Sequence, residues 1–568
     1  MRYAGLQMTA WRRALLLVGI LWSIYLFSAT RSTLWNRDEA RYATAAVEMV
    51  GSGNYLYPTF NHELRPHKPI LIYWLMSVPV RIFGPTELAV RLPATLCMAA
   101  SCLMVFAIGR HLFSSRSGRW AAAILATSPL VMISGMAATT DAALMAAILS
   151  TLVPFVWAYT DGSRWWHVPV MGTGIGAALL IKGPIGFLVP VLSMITTWVL
   201  ARGQSRLDRQ ARINLAIASG IGISLFLAWA IPANLATGGA YGRIGLVGGL
   251  SRRVFTAMEG HGGGSLAYLL YLPYYLGVVC LASFPWLVFL PGAARALARG
   301  RIAGHPGGEE DDWARSGPGI RTLLGGMILP IIALMTLFAT KLPHYILPVF
   351  PWLALMEAGA LDAAGHGAGS LGGRAWNRLG AWGYGLVAIA VGATLLVGPL
   401  RLPELAPARV PLSIAGLVVM VGAIAVVVAQ WKCRFHRTAQ IVLCGTVLWL
   451  VVISVAVLPA LESITKLEPQ LVNTVEGFIE ADTPVAQYGW YEPSLHFYLG
   501  GRPVERIISS DRLFQWAREP GLGLIVTTRL ALDEVELNHE PLGLREIGSE
   551  HGISHVDGRR LELVALLR

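Results

Sequence analysis

The sequence predicts an all-α polytopic membrane bundle with a small C-terminal α/β domain, and three observations carry that expectation. Hydrophobic residues fill 55% of the 568 positions and charged residues only 14%, against roughly 25% charged in a soluble globular chain. Apolar runs of about 20 residues recur along most of the length, as a helix needs to cross ~30 Å of hydrocarbon. After residue 465 those runs stop, and short alternating segments replace them.

About thirteen spans are expected, near 14–34, 88–108, 120–137, 140–160, 167–181, 183–201, 213–235, 268–292, 322–340, 344–362, 379–400, 411–430 and 438–460. Basic loops set their direction. Arg110, Arg116 and Arg119, then Arg202, Arg206, Arg209 and Arg212, then Lys432, Arg434 and Arg437 fall on the side of Arg2, Arg12 and Arg13. That side is cytoplasmic by the positive-inside rule, so the N-terminus is expected there. Ser28-Ala29-Thr30 is a weak small-residue cleavage site after the first span, and either reading of that span leaves the next segment outside.

The run from Pro69 to Phe83 is apolar but short and holds two prolines. Counting it as a span would turn every later Arg-rich loop outward, so it is expected to lie at the membrane surface. Residues 38–50 read as a second surface helix stopped by Gly51 and Gly53. The transmembrane domain then occupies residues 1–465, with external loops 35–87 and 236–267 and a cytoplasmic loop at 302–319. Residues 466–568 form a soluble domain placed outside by thirteen crossings. In it ADTPVAQYGWYEPSLHFYLG, GLGLIVTTR and LELVALLR read as strands and LEPQLVNTVEGFIEA as helix.

The formal charge of +12 comes from those short loops, and no basic stripe with interleaved aromatics points to nucleic acid. The five cysteines show no Cys–x–x–Cys pair or zinc spacing. His261, in a glycine-rich loop, and a carboxylate such as Glu63 are the candidates for a metal. They have no recognisable ligand spacing, so no cofactor is expected to be required.

The topology gathers Asp38, Glu39, Arg41, Tyr42, Lys68, Asp141, Lys182, Arg253, His261 and Lys341 at the outer face. Ionisable groups at a membrane boundary are costly, and a cluster at one depth marks a functional site. Of 45 basic residues only five are lysine, and Lys68, Lys182 and Lys341 stand at this boundary. A lysine is a compact, mobile charge suited to a phosphate that is bound and released; the competing role is a helix anchor that snorkels to headgroups. Asp38 shares a helix face with Arg41 and Tyr42, while Glu39 turns away by about 100°. The bland alternative is an i,i+3 ion pair on a solvated turn. Asp141 opens the fourth span beside Thr139 and Thr140, either as an N-cap or as a second carboxylate toward substrate.

The run DEARYATAAVEMVGSGNYLYPTFNHELRPHKPILIYW resembles the first periplasmic loop of the 4-amino-4-deoxy-L-arabinose (aminoarabinose) lipid A transferases. These are C-type glycosyltransferases related to protein O-mannosyltransferases. Further matching residues are Glu87 with Arg91-Leu92-Pro93, Asp141, Lys182-Gly183-Pro184, Phe284-Pro285-Trp286, and Lys341 with Tyr345-Ile346-Leu347-Pro348. The likeness covers roughly the first 355 residues. Two positions depart from the pattern: His67 replaces an acidic residue, and Ile70 the second proline of K-P-P.

The resemblance implies the C-type glycosyltransferase fold in a bacterial inner membrane. It also implies transfer of aminoarabinose from undecaprenyl phosphate to a lipid A phosphate, by a protein expected to act as a monomer. Asp38 would be the principal catalytic carboxylate, oriented by Arg41 and Tyr42, with Asp141 beside it. Lys68 and Arg253 would hold the carrier phosphate, with Lys341 nearby; Glu39, Lys182 and Tyr345 complete the expected substrate contacts. Protein O-mannosyl transfer is the alternative within this chemistry. A lipid or solute transporter is the alternative outside it, but charge gathered at one face and no internal repeat favour an enzyme.

Overall fold

The computed structural model describes residues 2–35, 37–201, 209–248, 265–304, 316–365, 372–480, 482–538, 541–554 and 558–568. Among them ten helices are long and apolar enough to cross a membrane. An eleventh results if Ser115–Ala126 and Pro129–Met136, bent by 67°, form one span. The chain is therefore a multi-pass membrane bundle, as expected, but two of the thirteen anticipated crossings take another form. The run at 167–181 is a helix of 16 residues, His167–Lys182, about 24 Å long. The run at 268–292 is cut into Ser265–Leu270, Tyr274–Ala282, Trp286–Val288 and Leu290–Ala298. Pro273 and Pro285 each stand just before a new segment, since a proline starts a helix far better than it continues one.

Helix α1 (Arg2–Ala29) leads through a short loop into α2 (Arg37–Ser52). Asp38 and Glu39 in its first turn suit the positive helix end. A two-strand hairpin follows, β1 (Thr59–Phe60) and β2 (Glu63–Leu64), turned by Asn61 and His62 at φ 56° and 61°. Helix α3 (Leu71–Phe83) is the 13-residue apolar segment read as lying at the surface. It packs against α2 and α4 (Glu87–Leu112). Thr86 caps α4 by accepting a hydrogen bond from the Ala89 N–H at 3.2 Å.

The last apolar helix ends at Thr465, and a five-stranded sheet follows in the order β4-β3-β5-β7-β6. Strand β3 (Val485–Tyr488) pairs in parallel with β4 (Val504–Ile507) and β5 (Leu524–Thr528). Antiparallel β7 (Arg560–Leu567) and β6 (Arg545–Ile553) complete it. Every residue of β5 is buried, because helices cover both faces: Leu471 and Leu495 pack on one, Leu513 and Trp516 on the other. Strands β4 and β6 were not anticipated from sequence, and the expected strand at 481–500 turns into helix at Pro493–Tyr498, where Pro493 opens the first turn.

This domain is sewn to the loop after α1. Arg37 grips Glu492 through Nε at 2.9 Å and Nη2 at 2.5 Å. Glu462 accepts from the Thr33 N–H at 2.7 Å and the Trp35 indole at 2.9 Å, and the buried Lys466 ammonium donates to the Leu34 carbonyl at 2.7 Å. Asn61 pairs with the Val504 backbone through both amide atoms, at 2.9 and 2.8 Å. The C-terminal domain thus lies at the end of α1 opposite the N-terminus.

Candidate active site

The two adjacent acids of α2 have opposite surroundings. Glu39 is buried, and its carboxylate takes the Arg91 guanidinium at 2.7 and 3.0 Å, the Trp35 N–H at 2.9 Å and the Ala138 N–H at 2.8 Å. Arg91 spends its other protons on Ala29, Ser32 and Thr33 of the same loop. Burial alone would raise the Glu39 carboxyl, but Arg91 and the two N–H groups hold it below its ordinary value. The expectation that Glu39 touches substrate is corrected: its oxygens latch the loop to α4. Asp38, one residue earlier, has a side chain 58% exposed and a loose 3.4 Å contact to Arg41.

Tyr42 faces inward, its ring 5.8 Å from that of Tyr73, with the Arg65 guanidinium 5.5 Å from the Tyr42 centroid. Burial holds the Tyr42 phenol well above its ordinary value, so it remains a neutral hydroxyl. Asp38 acts electrostatically on Tyr42, Tyr73, Arg65 and His344. His344 in turn feels Asp141, Lys182 and Lys68. Asp38 therefore stands at the edge of a single charged cluster.

One part of that cluster lines a cleft of about 870 Å³, measured out to its open mouth, whose walls include Lys68, Asp141, Lys182, His344 and Tyr345. Each wall has a local cause. Lys68 sits between Pro66 and Pro69, and the residue before a proline is pushed to extended backbone. Its carbonyl accepts the Tyr241 hydroxyl at 2.6 Å. Gly245 lets this segment approach, since a Cβ there would stand 2.2 Å from the Pro66 carbonyl oxygen. Lys182 ends its helix, Gly183 at φ 66° stops it, and Pro184 opens the next. Lysine, left-handed glycine and proline are the helix-stop, helix-start sequence that sets an ammonium at a corner. The Lys182 ammonium meets Asp141 at 2.6 Å and lies 5.3 Å from the Tyr345 ring centroid. Asp141 is in the first turn rather than at the N-cap, which is Thr139.

Lys341 does not line the cleft. Its buried ammonium donates to the carbonyls of Met335, Thr336 and Phe338 and lies 5.5 Å and 5.7 Å from the rings of Tyr268 and Tyr275. It satisfies the carbonyls left open at the end of Gly317–Leu337, so the structure gives this lysine, expected near the carrier phosphate, protein partners behind the cleft wall. Arg253 and His261 lie outside the described residues. Glu63 is exposed in β2, and among the described residues no group of three His, Cys, Asp or Glu side chains could hold a metal. Arg65, Tyr73, Tyr241 and His344 were not singled out from sequence. Arg65 and His344 directly flank the quoted P-H-K-P and Y-I-L-P runs, and that adjacency was the available signal.

The chain is similar to several known proteins. Residues 67–231 match the family described as dolichyl-phosphate-mannose-protein mannosyltransferase. The undecaprenyl phosphate-α-4-amino-4-deoxy-L-arabinose arabinosyl transferase of Aeromonas hydrophila is 30% identical over 66% of this chain and 64% of its own. A second such transferase, from Proteus mirabilis, is 27% identical over 59% of this chain and 56% of its own. The chain thus spans less than two thirds of the length of these relatives. The crystal structure of ArnT from Cupriavidus metallidurans bound to undecaprenyl phosphate superposes with a TM-score of 0.77 at 17% identity, covering 97% of both chains. Its apo form gives 0.76, with 99% and 98% covered. The resemblance read from the first loop is borne out, and the chain has the fold of the solved ArnT structures, the C-type glycosyltransferase fold.

Proposed function

We propose that this protein is a glycosyltransferase of the bacterial inner membrane that moves 4-amino-4-deoxy-L-arabinose from undecaprenyl phosphate to a lipid A phosphate on the periplasmic face. The N-terminus is then cytoplasmic and the C-terminal domain periplasmic. The observation that carries this reading is the cleft itself: cations and a tyrosine gathered at one end of an apolar bundle, with Asp38 exposed beside them. The named transferases similar to this chain support the choice of sugar and carrier.

In this reaction a lipid A phosphate oxygen forms a bond to sugar C1. The bond from C1 to the carrier phosphate oxygen breaks, and its electron pair leaves with undecaprenyl phosphate. In this reading Lys68, on the cleft wall, stabilises that developing anion, and its task is electrostatic. The acceptor is already anionic and needs no base, so the task left for the exposed Asp38 carboxylate is to hold the sugar's ammonium group. Arg41 and Tyr42 keep Asp38 in place. Lys182, neutralised by Asp141, fixes the wall that carries Tyr345.

Transfer is tested with purified protein in detergent, the undecaprenyl-linked aminoarabinose donor and lipid A, read by the mass gained on lipid A. A donor with a neutral hydroxyl in place of the amine should react poorly. The match of residues 67–231 favours protein mannosylation as the second reading, in which Asp38 would take the proton from a serine or threonine hydroxyl. Mannosylation of a peptide from a polyprenyl-phosphate donor, with lipid A unmodified, would establish that reading instead.

A further inference from the structure

The C-terminal domain carries no assigned chemistry, yet it presents a cation toward the first external loop. Arg506 in β4 is exposed, and its guanidinium lies 4.8 Å from the ring centroid of Tyr491. Arg41 and Arg65 of the first loop also act on Tyr491, together with Glu63. No carboxylate among the described residues lies within 4.0 Å of Arg506 or Arg65, and Arg41 has only the 3.4 Å contact to Asp38. Tyr491 thus stands in the field of three guanidiniums, with Glu63 also acting on it and Asp38 held to Arg41. By contrast Arg37 and Arg512, close by in sequence, are each fully answered by glutamates.

We propose that Arg506 and Tyr491, with Arg41 and Arg65, form a subsite for the phosphate of the acceptor. The inference rests on the transfer reading above and deepens it. Two anions must meet at sugar C1, the carrier phosphate and the attacking phosphate, and their repulsion requires a separate set of cations for each. Lys68 lies in the cleft, on the carrier's side. Arg506 and Tyr491 belong to the sheet domain and are not among the residues that line that cleft. Guanidinium forks match phosphate oxygens in pairs, and a guanidinium held over a tyrosine is already oriented for this. The sheet domain thereby supplies half of the acceptor site.

The test is binding of lipid A to the full-length protein in detergent, with bisphosphorylated lipid A and the same lipid stripped of phosphate as probes. The wild type should prefer the phosphorylated lipid, and Arg506→Gln should lose roughly 10-fold in affinity for it, the size of one charge-assisted contact. It should leave affinity for the stripped lipid unchanged. Arg506→Lys should recover part of the loss, and Arg518→Gln, a matched charge loss elsewhere on the domain, should bind like wild type. Equal affinity of Arg506→Gln and wild type for phosphorylated lipid A would overturn the subsite. So would inorganic phosphate binding in an Arg506-dependent way while the lipid's own phosphates give no advantage, because the site would then serve a free anion. Binding does not depend on turnover. If phosphate-dependent binding persists but no aminoarabinose is transferred, the donor reading fails and the subsite stands.

Discussion

The cleft and the seam between the first loop and the C-terminal domain use the same residue types to opposite ends. In the seam Glu39 is answered by Arg91, Glu492 by Arg37 and Lys466 by the Leu34 carbonyl. In the cleft Lys68, His344 and Tyr345 face open space. Asp38 and Glu39 make the contrast within one peptide bond. The difference teaches that sequence position tells at what depth a charged residue of a membrane protein lies, and only its partners tell what it is for. A charge enclosed by protein partners on every side holds structure; one on the wall of a cleft can also meet a ligand.

The contrast can be broken at its two ends. Asp38→Asn should cost at least ~100-fold in transfer rate, the range for losing a charged catalytic group. Because the side chain is exposed, thermal stability should stay within about 0.5 kcal/mol. Retention of more than a tenth of wild-type turnover by the folded variant would remove Asp38 from the chemistry. Arg91→Met should do the reverse. It leaves Glu39 charged, buried and unpaired, a loss of about 3–5 kcal/mol, visible as a lower melting temperature in detergent. An unchanged melting temperature would show that the latch is not structural.

The bundle was legible because hydrocarbon thickness dictates run length, and the reading erred where proline interrupted a run, as at Pro273 and Pro285. Within the site, Lys68, Asp141, Lys182 and Tyr345 could be picked out by motif and depth, and the structure places all four on one cleft. Glu39 and Lys341 fit the same motifs, but their tasks are set by Arg91 and by the carbonyls of a helix end. No local pattern reveals such partners. The seam was illegible for a similar reason: Arg37 and Glu492 are 455 positions apart.

The seam should also respond to acid. His496 is fully buried against Phe60, ring centroids 4.9 Å apart, and neither ring nitrogen has a partner among the described residues. Burial, with His62 nearby, lowers its pKa from 6.5 to about 4. Above pH 6.5 the ring is neutral whether the seam is closed or open. As pH falls from there toward 4, the open form takes a proton that the closed form refuses. Closure therefore loses stability across that window, by about 3 kcal/mol in all. Hydrogen exchange at residues 59–64 and 493–501 should quicken between pH 6 and 4, and His496→Phe should flatten the response. The same acid profile in both proteins would place the trigger elsewhere.

The smallest effect sharpens the comparison most, because it sets two lysines of the same motif set against each other. Lys68→Ala removes a charge that faces the cleft while Pro66 and Pro69 still hold the backbone, so folding should be little changed. A charged contact to phosphate is worth roughly 1.5–3 kcal/mol, or about 10- to 150-fold in affinity. Binding of undecaprenyl phosphate to the purified protein should weaken by that factor, and Lys68→Arg should recover part of it. Lys341→Ala should leave carrier affinity close to wild type and lower the melting temperature instead, since it strips the carbonyls of Met335, Thr336 and Phe338 of their donor. If the two variants exchange these behaviours, the open-space criterion fails where it is easiest to apply. A charge at the membrane boundary would then have to be assigned from its ligand and not from its protein partners.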